Sequence, residues 1–192
     1  MSDTNKIKQL VAKVKNGDVE AFRALVEKHQ HLAFTIAYNI VKNRQDAEEV
    51  VQDAFIKVFN KIAQFKEESK FSSWLFKIVY NTALSRIRKS KLDTFTLEYD
   101  DYSTEFGIDS HSGWDQMVLR DQKEYIQKAL DNLADQDKLV LTLFYLADEG
   151  LNEICKITNE KKTTIKARLH RARAKMYTQL NGLLKDELKV LV

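Results

Sequence analysis

The stretch Ile165-Lys-Ala-Arg-Leu-His-Arg-Ala-Arg-Ala-Lys-Met176 arranges Lys166, Arg168, His170, Arg171, Arg173 and Lys175 around a thin apolar seam. The seam is Ile165, Leu169, Ala172 and Met176, and at about 100° per residue these positions fall on one helical stripe that can dock on a core. The other faces are left to a polyanionic partner. Upstream, Leu151-Asn-Glu-Ile-Cys-Lys-Ile157 predicts a short amphipathic helix. Thr158-Asn-Glu-Lys-Lys162 then forms a turn before Thr163-Thr164, whose hydroxyls suit the free amides of a helix start. A short helix, a tight turn and a basic helix make a helix-turn-helix pattern. Taken alone, the segment also fits a solvated basic helix on an ordinary bundle.

The rest of the chain favours the first reading. Its 192 residues include no proline and five glycines, and apolar residues recur at helical rather than alternating spacing. These features predict an all-α protein of two small helical domains. The formal net charge of +3 is small, but a polyanion responds to how charge is distributed. Lys70, Lys77, Arg86, Arg88, Lys89 and Lys91 fall in a run that contains no acid. From Leu92 to Asp115 the pattern inverts, with Asp93, Glu98, Asp100, Asp101, Glu105, Asp109 and Asp115 and no Lys or Arg. The expected order is a helical domain over 1–91, an acidic flexible linker over 92–115, and a helix-turn-helix domain over 116–192. The linker's aromatics, Phe95, Tyr99, Tyr102 and Phe106, are expected to dock somewhere.

In the first part, Ile7 to Val14 predicts a short helix closed by Gly17-Asp18. Phe22, Leu25, Val26, His29, Ala33, Ile36, Ala37 and Ile40 predict a longer one, broken at Asn43-Arg-Gln-Asp46. Asp46 with Glu49 has the form of a capping box for a third helix running to about Asn60. A polar loop, Gln64 to Lys70, leads to Phe71-Ser-Ser-Trp74, where a serine is expected to cap a fourth helix reaching about Lys89. Beyond the acidic segment, helical spacing resumes at Met117, Ile126, Leu130 and Leu133.

Three strings occur in order: Asp46-Ala-Glu-Glu-Val-Val-Gln-Asp-Ala-Phe-Ile-Lys-Val-Phe59, Phe71-Ser-Ser-Trp-Leu-Phe-Lys-Ile-Val-Tyr-Asn-Thr-Ala-Leu84, and Thr164-Ile-Lys-Ala-Arg-Leu-His-Arg-Ala-Arg-Ala-Lys-Met176. Together they resemble the bacterial sigma factors of the extracytoplasmic-function group, and the resemblance covers nearly the whole chain. It implies a promoter-specificity subunit without catalytic activity or cofactor. The first domain would grip core RNA polymerase and open the promoter's minus-ten element. The second would read the minus-thirty-five element as duplex, and such factors commonly have an anti-sigma partner. A stand-alone helix-turn-helix regulator is the alternative. Asn159 stands where the family usually has glycine, and Asn visits left-handed backbone more readily than most residues.

Site expectations follow from chemistry and from this resemblance. Asp46, Glu49 and Asp53, beside Val50, would meet a basic coiled coil on the polymerase. In the acid-free stretch, cations suit a backbone and aromatic faces suit exposed bases. Phe65, Lys66, Lys70, Lys77, Tyr80 and Asn81 are therefore the minus-ten candidates, with Trp74 assigned to the core. Thr163, Thr164, Lys166, Arg168, His170 and Arg171 are the minus-thirty-five candidates. Enzymatic readings lack residues. The five glycines are isolated, so no phosphate loop forms. His29 and His31 point to different faces and make a poor metal pair. Cys155, the only cysteine, has no base beside it and fits a half-buried core position. No apolar opening run, and no run of about 18 apolar residues, predicts export or membrane insertion, so a cytoplasmic location is expected.

Overall fold

A computed structural model describes residues 3–93, 126 and 128–190 of the chain. Helix α1 (Asp3–Lys15) buries Val11 and Val14, and Gly17 turns the chain at φ 90°. Asp18 then caps α2 (Val19–Val41) by accepting from the Ala21 amide at 2.9 Å. Lys42 ends α2 in left-handed backbone at φ 58°, and α3 (Arg44–Lys61) follows directly. A 3-10 turn (Ile62–Gln64) and a loop lead into α4 (Phe71–Asp93). Helices α2, α3 and α4 pack on one another around Leu25, Ile36, Val50, Val58, Leu75 and Phe76, with α1 covering α2.

The second set begins with a helical turn over 128–131. Helix α5 (Asp135–Leu141) continues as a π-helical turn (Thr142–Leu146), followed by α6 (Leu151–Thr158) and α7 (Lys162–Val190). Ile165, Leu169 and Ala172 of the expected seam are buried with Leu143, Ile154 and Ile157, while Met176 is half-buried at its edge. Asn159 takes φ 58°, the left-handed turn between α6 and α7. The two sets are docked, α4 against α6 and α2 against α5. The described residues hold helices and no strand.

Two expected caps are corrected. Asn43, extended at φ −132° and ψ 133°, starts α3 and accepts from the Asp46 amide at 2.9 Å, so Asp46 sits one turn inside the helix instead of capping it. Ser72 and Ser73 lie in the first turn of α4, and their hydroxyls are engaged elsewhere. Helix α4 also continues through Leu92 and Asp93, past the expected end near Lys89. The rest of the acidic segment, with Phe95, Tyr99, Tyr102 and Phe106, and Met117 lie outside the described residues.

Replacing an N-cap asparagine with alanine costs about 1 kcal/mol. Asn43→Ala should lower the denaturant-unfolding stability of the chain by roughly that amount, and Asp46→Ala should not reproduce the loss of the cap.

Candidate nucleic-acid interface

The loop between the 3-10 turn and α4 is held by an aromatic stack. Phe65 is buried at 6% exposure, stacked on Trp74 at 5.0 Å and edge-on to Phe71 at 6.0 Å. The expectation for Phe65 is corrected: it is a core ring and cannot meet a base as placed, while Trp74, half-buried, packs against the core as expected. The reason is leverage, because Lys15 of α1 donates to the Phe65 carbonyl at 2.7 Å and draws the loop inward. The loop then exposes Lys66, and Glu67 takes φ 61°. On α4, Lys77 and Asn81 are exposed four residues apart, hence on one face. Tyr80 is half-buried instead, in a cleft of about 250 Å³ that it shares with Asn39, Glu160 and Arg168. Burial pushes the Tyr80 phenol up, the Glu160 carboxylate adds to this, and Arg168 opposes it.

Arg86 of α4 gathers two of the expected acids of α3. Its guanidinium donates to Asp46 at 2.6 and 2.9 Å and lies 2.6 Å from Glu49. The bond it donates to Asp46 is the main reason the Arg86 proton is held more firmly than usual. Asp53 is exposed and has no partner among the described residues. Val50 is 2% exposed, so it belongs to the core and not to the acidic face.

The basic helix α7 sorts its cations by angle. Lys166, His170 and Thr163 are exposed, and Thr164 is half-buried in the first turn. Arg168 bends back to Glu160 at 3.0 Å, with its side chain 17% exposed. Arg171 donates through Nε and Nη2 to the two oxygens of Asp137, both at 2.7 Å. Asp137 itself is fully buried. Arg173 lies over Phe144 and Tyr145 at 5.1 and 5.4 Å. A cation tied into an ion pair is less available to phosphate than a free one, so the exposed Lys166 and Lys175 are more open than Arg168 and Arg171, and His170 is exposed on the Lys166 face.

Sequence reasoning missed Arg86, Asp137 and Glu149. Glu149 is 1% exposed and accepts from the Ser72 and Ser73 hydroxyls at 2.7 and 2.6 Å. Burial pushes its carboxyl up, while the two serines and Lys70 oppose that shift. Nothing local marks these acids as buried, since each stands among polar neighbours and its partner is distant in sequence. Among the described residues no cluster of His, Cys, Asp or Glu could hold a metal ion, and no helix is long and apolar enough to cross a membrane.

The two helical sets coincide with two known modules. Residues 25–92 match the Sigma-70 region 2 family and residues 123–176 match Sigma-70, region 4. The ECF RNA polymerase sigma factor SigW of Bacillus subtilis is 32% identical over 92% of this chain and 98% of its own length. The chain belongs to the ECF sigma factors. The ECF RNA polymerase sigma-E factor of Escherichia coli K12 is 26% identical, over 96% of this chain and all of its own. Two solved structures share the fold. One is the sigma factor RpoE in complex with the anti-sigma factor NepR from Bartonella quintana, with TM-score 0.63, 22% identity, and coverage of 83% of this chain and 96% of that one. The other is CnrH in complex with the cytosolic domain of CnrY, with TM-score 0.59, 21% identity, and coverage of 94% and 99%. Both modules in one chain favour the sigma factor over a stand-alone helix-turn-helix regulator.

The Asp137–Arg171 pair gives a pH signature. Hydrogen bonding from Arg171 holds the Asp137 carboxyl below the usual carboxylate range, with Arg168 and Lys175 adding to the effect and burial opposing it. A carboxyl depressed in the folded state stabilises the protein above its unfolded value, and that contribution is lost as pH falls through the folded value. Asp137→Asn should therefore lower the thermal midpoint at neutral pH, and the gap from the unmodified protein should close in acid. An equal gap at all pH values would remove the pair from the stability of this domain.

Proposed function

We propose that promoter recognition by this sigma factor is divided among three of its faces. The chain binds core RNA polymerase and directs promoter-specific initiation. The observation that carries the finer reading is the separation of charge: one acidic face on α3, one cationic face on the α4 loop and helix, and one on α7. The Asp46, Glu49 and Asp53 face would meet a basic element of the polymerase. Arg86 keeps two of those carboxylates fixed, which limits the side-chain entropy lost on binding. Lys66, Lys70, Lys77 and Asn81 would track the opened minus-ten strand, with Tyr80 as the stacking ring once it leaves its cleft. Lys166 and His170, four residues apart, would reach base edges of the minus-thirty-five duplex, and Thr163 and Thr164 would reach phosphates near the helix start. Arg168 and Arg171 would serve phosphates only after leaving their acid partners. The role is recognition without catalysis or cofactor, in the cytoplasm with the polymerase.

An anti-sigma factor is the further partner. An apolar groove of about 690 Å³ runs between α2 and α7, lined by Leu32, Leu130, Leu141, Tyr145, Met176 and Tyr177. Ile126, Tyr145, Leu146 and Tyr177 are exposed along it, and an amphipathic helix laid there would cover apolar surface on both domains.

Transcription in vitro with core polymerase and a genomic library tests the reading. Promoter-specific transcripts that require the chain are expected, whereas tight operator binding by the chain alone as a dimer would favour the regulator. Glu49→Lys with Asp53→Lys should abolish core binding at unchanged helical content, and retained affinity would dismiss the acidic face. Lys166→Ala or His170→Ala should cost about 1–3 kcal/mol on the preferred minus-thirty-five sequence and reorder the sequence ranking. An unchanged ranking would mean that α7 presents a different face to the bases.

A further inference from the structure

A cavity of about 440 Å³ is lined by α1, α2, the loop before α4 and the π-helical turn. Segments far apart in sequence converge on it, and its size is that of a small-molecule site. Its apolar lining comes from Ile7 of α1, Leu32 of α2, Phe71 of α4 and Leu146 of the π-helical turn. The Phe71 ring belongs to an aromatic group, with His29 at 5.5 Å and Phe65 at 6.0 Å, and both of these also line the cavity. Leu146 is 48% exposed. Such surfaces suit a flat, largely apolar ring.

The polar lining carries both signs of charge. Lys8, Lys28 and Lys70 reach the cavity from α1, α2 and the loop. Glu67 and Asp148 line it as well, Glu67 at 3.6 Å from Lys15 and Asp148 at 3.4 Å from Lys70. The Asp148 side chain is 98% exposed, so its carboxylate is open to a further donor. Glu67 holds left-handed backbone at φ 61° although no helix ends there, and strain of this kind persists where the surroundings fix it. A site for a bare anion gains nothing from carboxylates, because each repels the ligand. Lysines beside carboxylates fit a ligand that has an anionic end and hydrogen-bond donors near it. A nucleotide has both, since its phosphate takes cations and its ribose hydroxyls donate to acids.

We propose that this cavity binds a free ribonucleoside phosphate. The base lies among Leu32, Phe71 and Leu146, the phosphate meets Lys8 and Lys28, and the ribose hydroxyls donate to Glu67 and Asp148. The same base and phosphate also occur in a nucleic-acid strand, and the ribose separates the two sources, because promoter DNA lacks the 2′-hydroxyl. A ligand that binds only the folded chain also stabilises it in proportion to the logarithm of its concentration above Kd.

The test is isothermal titration of the full-length chain with adenosine 5′-monophosphate, its 2′-deoxy counterpart, adenosine and inorganic phosphate. The ribonucleotide should bind saturably, about tenfold tighter than adenosine or phosphate alone, more tightly than the deoxynucleotide, and should raise the thermal midpoint. Lys8 and Lys28 are exposed, so Lys8→Ala with Lys28→Ala should keep the helical content. That pair should weaken the ribonucleotide about tenfold and leave adenosine unaffected. Lys6→Ala with Lys13→Ala removes the same charge from exposed positions outside the cavity and should leave the affinity unchanged. Asp148→Asn should narrow the preference for ribose over deoxyribose. If either lysine pair alters helical content, Lys8→Gln with Lys28→Gln takes its place and the same loss is expected. Absence of saturable ribonucleotide binding overturns the proposal, as does phosphate binding as tightly as the ribonucleotide, or an equal effect of the two lysine pairs. Equal affinity for ribonucleotide and deoxynucleotide, with both displaced by a mixed-sequence single strand of DNA, would give the cavity to the strand and overturn the free-nucleotide assignment.

Discussion

Glu149 is a buried carboxyl group, and the position of one helical set on the other depends on how it is satisfied. Burying an ionised group is expensive unless hydrogen bonds replace its hydration. Here two hydroxyls supply them from consecutive residues of α4, with Lys70 just beyond. That solution is possible only because α4 starts at Phe71, immediately after a loop pinned inward by Lys15. The aromatic stack of Phe65, Phe71 and Trp74, the start of α4 and the seat of Glu149 thus form one connected arrangement. Shifting the loop would unseat the carboxyl group, and removing it would leave the two serine hydroxyls without their acceptor.

Much of the fold was legible because it follows from periodicity. The seam of α7, the break at Gly17-Asp18, the left-handed Asn159 and the four-helix order of the first domain all express local rules of spacing and backbone freedom. The caps of α3 and α4 were less legible, because several residues near a helix start are chemically suitable and the choice is made by backbone geometry. Asn43 prevails over Asp46 because it is the residue held extended at the boundary. At Ser72 and Ser73 the decisive partner lies 77 and 76 residues away. No local pattern encodes such a pairing.

The candidate site divides in the same way. Sequence identifies which residues are cationic, aromatic or acidic, and helical spacing identifies which of them share a face. It does not identify which cations are already spoken for. Lys166 and His170 remain exposed because they lie away from the seam, whereas Arg168 and Arg171 sit close enough to its flanks to reach Glu160 and Asp137. Phe65 and Trp74 make the same point for rings. Both are apolar and near the loop, and the tether from Lys15 draws Phe65 fully into the core, where Trp74 stacks on it half-buried.

These paired arginines bear on how recognition is balanced. An arginine held by a buried aspartate, as Arg171 is by Asp137, loses a charge-assisted and bidentate bond if it turns to phosphate, so little net affinity is gained from the exchange. Its present geometry serves the packing of α7 on α5, which orients the helix. The Arg168–Glu160 pair differs in having one nitrogen without any partner and in lying against the other domain. Separation of the domains would hydrate that nitrogen and remove the cover from Tyr80 in a single movement. Two cations one helical turn apart therefore do different physical work: Arg171 ties α7 to α5 within its own domain, while Arg168 lies against the other domain. The boundary between α4 and α7 is where the two surfaces proposed to face DNA meet.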